Sequence, residues 1–108
     1  MAIEKKFKIL IYPGLHTRPG AKFVHLCNKF ESDIEIFFDG KVANGKSMTN
    51  IMTMAAPQNA QITVKVNGVD EEILVKELTD WQTEAHKSKE DFDNFPEKFE
   101  LLKVFEII

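Results

Sequence analysis

The stretch Ile34-Glu35-Ile36-Phe37-Phe38-Asp39-Gly40-Lys41-Val42-Ala43-Asn44-Gly45-Lys46-Ser47 admits two readings that lead to different folds. From Gly40 onward it satisfies the nucleotide-loop pattern G-x-x-x-x-G-K-[ST], and it lies between a predicted strand and a predicted helix, where such a loop belongs. In a phosphate loop the residues curl so that successive backbone N–H groups face the phosphates. Here Ile34, Ile36 and Phe38 alternate onto one face, Asp39-Gly40 is a strong hairpin signal, and Lys41 to Asn44 have the length of a short returning strand. One segment cannot be both. The chain offers no convincing apolar strand ending in a magnesium-holding Asp, and 108 residues are few for a parallel sheet covered on both faces. The hairpin reading is adopted, and it makes the sheet antiparallel. Nucleotide binding through Gly40 to Ser47 stays as a rival that a titration with magnesium ATP decides.

Upstream of this stretch, Phe7, Ile9 and Ile11 alternate with Lys8, Leu10 and Tyr12, the period of a strand over residues 7–12, which Pro13-Gly14 stops. The spacing then becomes helical, with Phe23, Leu26, Cys27 and Phe30 on one stripe and Pro19 in the first turn, where a missing N–H costs nothing. Downstream, Ser47 is placed to cap a short helix with Met48, Ile51, Met52 and Ala55 on one side, closed by Pro57. Ile62, Val64 and Val66 alternate in a fourth strand, and Asn67-Gly68 turns into a helix capped by Asp70, with Leu74, Leu78, Trp81 and Ala85 as its stripe. The order strand, helix, strand, strand, helix, strand, helix is that of an α+β sandwich, an antiparallel sheet with helices on one face. This unit closes near residue 85. Residues 86–108 run polar and acidic to Glu100, then end in Leu101, Leu102, Val104, Phe105, Ile107 and Ile108. They read as an extra element laying its apolar side on the domain, with an oligomer or partner contact as the sharper alternative.

Chain length allows one domain and excludes a multi-domain enzyme. Fourteen Lys and Arg against seventeen Asp and Glu leave a net charge of −3, which argues against general affinity for nucleic acid or anionic lipid. The single cysteine, Cys27, cannot form an intramolecular disulfide and suits a reducing compartment. No apolar run approaches the roughly 20 residues of a membrane span, and the charged start lacks a secretion signal. The expectation is a soluble cytoplasmic protein.

Gly14-Leu15-His16-Thr17-Arg18-Pro19 carries coherent chemistry. His16 stands where a strand has ended and a helix begins, so the unpaired N–H groups of Thr17 and Arg18 can point toward whatever its ring holds. Imidazole has an unperturbed pKa of about 6.5, so near neutral pH much of it is a free-base nucleophile able to attack phosphorus. Arg18 adds a fixed positive fork. Dipole, amides and guanidinium together can stabilise a phosphoryl group without a metal. The plainer alternative is a surface histidine at a helix start.

This motif, followed by Lys46-Ser47-Met48 before a Met-rich short helix, resembles the HPr family, the phosphocarriers of the bacterial phosphoenolpyruvate-dependent sugar phosphotransferase system, over about residues 4–84. The resemblance implies an open-faced β-sandwich, four antiparallel strands under three helices, with residues 86–108 as a C-terminal extension. It implies that His16 accepts phosphate from Enzyme I and passes it to the sugar-specific Enzyme IIA components, with Arg18 balancing the charge and no cofactor or metal required. It makes Ser47 the counterpart of the serine modified by HPr kinase/phosphorylase, where a phosphate suits the helix dipole but repels acidic partners. Ala21, Met48 and Met52 would form the apolar contact patch beside His16, with Ile51 turned inward. A regulatory binding module acting through Ser47 without sugar transport is the rival function.

The chain departs from the family pattern at three places. Pro13 stands where a small polar residue is usual, His25 and Asn28 stand where lysines facing Enzyme I are common, and residues 86–108 have no usual counterpart. His25 and Cys27 lie about 200° apart around a helix, so they do not face one metal. Cys27 and Trp81 read as packing residues, and His86 as an exposed residue at a helix end.

Overall fold

The computed structural model describes residues 2–108. Its elements in chain order are β1 (Ala2–Ile9), α1 (Thr17–Cys27), β2 (Asp33–Phe38), β3 (Lys41–Asn44), α2 (Met48–Met54), β4 (Gln61–Asn67), α3 (Glu71–Asp80), β5 (Gln82–Ala85), α4 (Lys89–Asn94), β6 (Glu100–Lys103) and β7 (Phe105–Ile107). The hairpin reading holds. Asp39 and Gly40 both adopt positive φ, the geometry of a tight turn, and β2 pairs antiparallel with β3 from Phe38↔Lys41 to Glu35↔Asn44.

The main sheet is antiparallel, in the order β3-β2-β4-β1-β7. Alternation decides its two faces. Phe7, Ile9, Ile34, Ile36, Ile62, Val64, Val66 and Phe105 are buried beneath the helices, together with Phe23, Ile51, Leu74 and Leu78 from α1, α2 and α3. The opposite face is open to solvent, where Lys65 sits opposite Glu4 on one side and Glu35 on the other, a favourable cross-strand arrangement. The expected α+β open-faced sandwich is therefore present, with one strand more than the four expected. That fifth strand comes from the tail.

The tail explains most boundary differences. β1 begins at Ala2 because residues 2–6 pair with β4, and it ends at Ile9 rather than Tyr12 because the next residues turn to the tail. Leu10 N–H donates to the Val104 carbonyl at 2.8 Å, and Tyr12 N–H to the His86 carbonyl at 2.9 Å. α3 ends at Asp80. Trp81 is its C-cap and Ala85 lies in β5, so neither belongs to a helical stripe, although Ala85 is buried and Trp81 packs against the core. β5 pairs with β6 in a separate two-stranded sheet. Val104 and Phe105 are fully buried, and the Phe105 ring lies 5.1 Å from Phe7, 5.9 Å from Trp81 and 6.0 Å from Phe23.

Asp70 precedes α3 as expected, but its carboxylate makes no bond to its own helix. It accepts instead from the Ser32 hydroxyl and from the N–H groups of Glu31 and Ser32, both at 2.9 Å, and so ties the α1–β2 turn to the start of α3. The Ser32 hydroxyl, then the Glu31 N–H, hold this carboxyl below its ordinary 3.8. Gly68 packs on the same turn, where a Cβ would collide with Ser32.

Two predictions follow from these contacts. Replacing Phe105 with Ala removes a fully buried ring and should cost about 3–5 kcal/mol, read as a lower urea midpoint at unchanged slope; a loss under about 1 kcal/mol would contradict its place in the core. Because the Asp70 pKa is depressed in the folded state, its contribution is complete above the unfolded value and fades as pH falls through the lower folded one. Asp70→Asn should thus lower the urea midpoint at neutral pH, and its difference from wild type should narrow as pH falls below the carboxyl's ordinary 3.8.

Candidate functional site

His16 is the residue before the first turn of α1, with extended backbone (φ −119, ψ 159) and a side chain that caps nothing. Its ring is half-buried, and Nε2 lies 3.1 Å from the Ala55 carbonyl oxygen. A carbonyl can only accept, so in the neutral ring Nε2 carries the hydrogen and Nδ1 keeps its lone pair. Among the described residues no protein group bonds Nδ1, and the N–H groups of Thr17 and Arg18 find no protein acceptor. The first amides of α1, which follow His16 directly in the chain, are thus open donors. Thr17 holds φ 42, an uncommon state for a β-branched residue.

This position is built by the chain after α2. Ala55 is left-handed (φ 48, ψ 49) and ends the helix, and the following residues run back along the 10–15 segment. Leu15 N–H donates to the Ala56 carbonyl at 3.0 Å, Gln58 N–H to the Pro13 carbonyl at 3.0 Å, and Gly14 bridges Pro57. Gly14 is required twice over: its φ is +117, and a Cβ there would strike Ala56 O and Pro57. The Gln58 side chain donates to the carbonyls of Leu10 at 3.1 Å and Lys87 at 2.5 Å, joining the loop to the tail. Sequence reasoning missed Ala55, Ala56 and Gln58, because two of them act through backbone carbonyls that any residue carries.

The sequence model of the family "PTS HPr component phosphorylation site" matches residues 3–83. The chain belongs to the HPr family. The phosphocarrier protein HPr of Buchnera aphidicola subsp. Baizongia pistaciae is 40% identical over 80 residues, which is 74% of this chain and 94% of that protein. Among solved structures, HPr from Bacillus anthracis has a TM-score of 0.67 at 36% identity, covering 69% of this chain and 89% of that one. HPr-C-His from Thermoanaerobacter tengcongensis has a TM-score of 0.66 at 36% identity, covering 68% and 83%. The chain is thus an HPr-type phosphocarrier of the sugar phosphotransferase system, extended by a tail beyond the matched residues.

The other residues singled out fall into place around this HPr frame. Arg18 is exposed, with Cζ 4.8 Å from the centroid of the Phe99 ring. Ala21 and Met52 are half-buried and Met48 is 44% exposed, while Ile51 is buried as expected. Met52 lies so close to α1 that a Cβ on Gly20 would collide with its methyl group. Ser47 caps α2, accepting from Asn50 N–H at 3.2 Å, and is half-buried. Gly40 to Ser47 forms no phosphate cradle: it contains β3, and Lys46 Nζ donates to the Phe30 carbonyl at 2.6 Å. Asn28 donates from its side chain to the Val24 and Lys46 carbonyls, tying the end of α1 to that loop.

His25 is exposed and Cys27 buried, and burial pushes the Cys27 thiol up to about 12, against a small opposing pull from Lys46. Among the described residues no cluster of His, Cys, Asp or Glu could hold a metal ion. His86 corrects the sequence reading. It is 5% exposed, packed on the Phe92 and Phe99 rings, because Tyr12 pairs with it and α4 folds over it. No helix of the described residues is long and apolar enough to cross a membrane.

The tautomer is directly measurable. At about pH 8, long-range proton–nitrogen correlation spectra should show His16 with a pyrrole-type Nε2 and a pyridine-type Nδ1. A neutral ring protonated on Nδ1 would contradict the bond to Ala55.

Proposed function

We propose that this HPr-family chain carries its phosphoryl group on Nδ1 of His16. The observation that carries the reading is the Nε2–H bond to the Ala55 carbonyl, which leaves the opposite ring nitrogen unprotonated beside two unoccupied amides. In the transfer step the Nδ1 lone pair attacks phosphorus on phospho-Enzyme I. The N–P bond forms as the bond from phosphorus to the donor atom breaks, and the donor keeps that electron pair. No proton has to leave His16. The ring becomes a phosphoimidazolium whose positive charge lies against the negative end of the Ala55 carbonyl, while the Thr17 and Arg18 amides and the start of α1 face the phosphoryl oxygens. Arg18 supplies the countercharge. Transfer onward to a sugar-specific Enzyme IIA component is the same step reversed, so a modestly stabilised phosphoramidate serves better than a tightly held one.

The contact surface in this reading is the apolar rim formed by Ala21, Met48 and Met52, whose flexible thioethers suit several partners. Ser47, at the edge of that rim, is the proposed regulatory site. A phosphate on it adds nearly two negative charges where an acidic partner docks.

Incubation with phosphoenolpyruvate and Enzyme I should place an acid-labile phosphate on the wild type and none on His16→Ala. Label that survives in His16→Ala, or that resists acid, would overturn the assignment. Ser47→Asp should retain the fold and accept phosphate several-fold more slowly at low salt, with the difference shrinking as salt rises.

A further inference from the structure

The tail touches the side chain proposed to balance the phosphoryl charge. Among the described residues the Arg18 guanidinium has no hydrogen bond and no acidic partner, and its one specific contact is the face of Phe99, 4.8 Å from the ring centroid. Phe99 lies beyond the family match, just before β6. Its ring also packs on that of His86, 4.7 Å away between centroids, and His86 is buried and held through its carbonyl by Tyr12. A cavity of about 260 Å³ opens here between the start of α1 and the tail, lined by Thr17, Arg18, Pro19, Glu84, His86 and Phe99 among others, but not by His16, and Glu84 makes no ion pair with Arg18 among the described residues. α1 packs against both α2 and β5. The His16 ring is bonded toward α2, through Ala55, while Arg18 is drawn over the tail that pairs with β5.

We propose that Phe99 is a positioning residue that parks the Arg18 guanidinium on the tail and so weakens the hold of this carrier on its phosphoryl group. The inference rests on His16 being the acceptor. A phosphoryl group on Nδ1 attracts Arg18 by charge-assisted hydrogen bonds, stronger than a cation over an aromatic face. Arg18 must therefore leave the ring to engage the phosphate, and whatever the ring contributes in the unphosphorylated state is subtracted from the stability of the phosphorylated one. An exposed cation–π contact corresponds to a factor of roughly two to five in an equilibrium constant. The tail would make the carrier a readier donor and a weaker acceptor by that factor.

The experiment follows acid-labile phosphate on the full chain, using catalytic Enzyme I with phosphoenolpyruvate and pyruvate at fixed ratio, in wild type, Phe99→Ala, Phe99→Leu, Arg18→Ala and Phe99→Ala/Arg18→Ala. Phe99→Ala should raise the equilibrium phosphorylated fraction ratio two- to fivefold, Phe99→Leu should do nearly the same despite retaining apolar bulk, and neither change should persist once Arg18 is absent. In wild type the Arg18 side-chain protons should show upfield ring-current shifts that relax on phosphorylation. An unchanged ratio in folded Phe99→Ala, the same increase in the Arg18→Ala background, or ring-current shifts that stay after phosphorylation each overturn the parking role. Label on His16 with no such coupling defeats this inference alone, whereas absence of label in wild type defeats the carrier assignment and this inference together.

Discussion

Two consecutive carbonyls, those of Ala55 and Ala56, hold the functional end of the molecule in place. One receives the His16 ring and the other receives the Leu15 N–H, so the side chain and the backbone that carries it are anchored to the same short segment. An imidazole on a free loop would sample both tautomers and many orientations. Here the choice of tautomer is made by an acceptor that cannot donate, and the choice of orientation by a backbone pair one residue away. The left-handed turn at Ala55 and the positive φ of Gly14 are what let the two segments come this close. The absence of a side chain at Gly14 is what makes room for the Ala56 carbonyl and Pro57.

The tail contributes at two levels that one ring chemistry connects. Phe105 completes the core from the edge of β1, closing an aromatic group with Phe7, Phe23 and Trp81. Phe99, six residues earlier, reaches Arg18. Since β6 and β7 flank the buried Val104, the core insertion fixes where Phe99 can lie. Cutting the chain after residue 85 would remove both at once and would test the core before it tested the site. Single substitutions at Phe99 separate the two.

Much of this was legible in the sequence where pattern and chemistry coincide. The alternation of Ile34, Ile36, Ile62, Val64 and Val66, the Asp39-Gly40 turn and the Ser47 cap each point to one local structure, and each is present. The position of His16 at the start of α1 was equally readable, because a Gly-then-Pro frame around it marks the end of a strand and the first turn of a helix. The failures share a cause. Trp81 and Ala85 continue a helical spacing by chance, and only the pairing of β5 with the distant β6 overrides it. Asp70 looks like a cap by position, yet the turn at Glu31 and Ser32 offers its carboxylate three donors. His86 reads as exposed because its covering rings, Phe92 and Phe99, follow it in a polar stretch with no regular period. Contacts made by backbone carbonyls or by residues far along the chain leave no periodic trace.

α2 links the two proposed phosphate positions, since Ser47 begins it and Ala55, which holds the His16 ring, ends it. Seven residues of helix span about 10 Å, slightly more than the screening length of about 8 Å at physiological salt. A doubly charged phosphate at Ser47 therefore has little direct purchase on the electronics of the ring. It also stands at the end of α2 where the dipole welcomes negative charge, so it does not loosen the helix that supports Ala55. What it does change is the potential over Met48, the exposed apolar residue next to it. Regulation at Ser47 would thus act on encounter with a partner, while the proposed roles of Arg18 and Phe99 would act on the stability of the bound phosphoryl group. The two proposed controls would be separable because one would operate through solvent-exposed charge and the other through the choice of Arg18 between the Phe99 ring and a phosphoryl group.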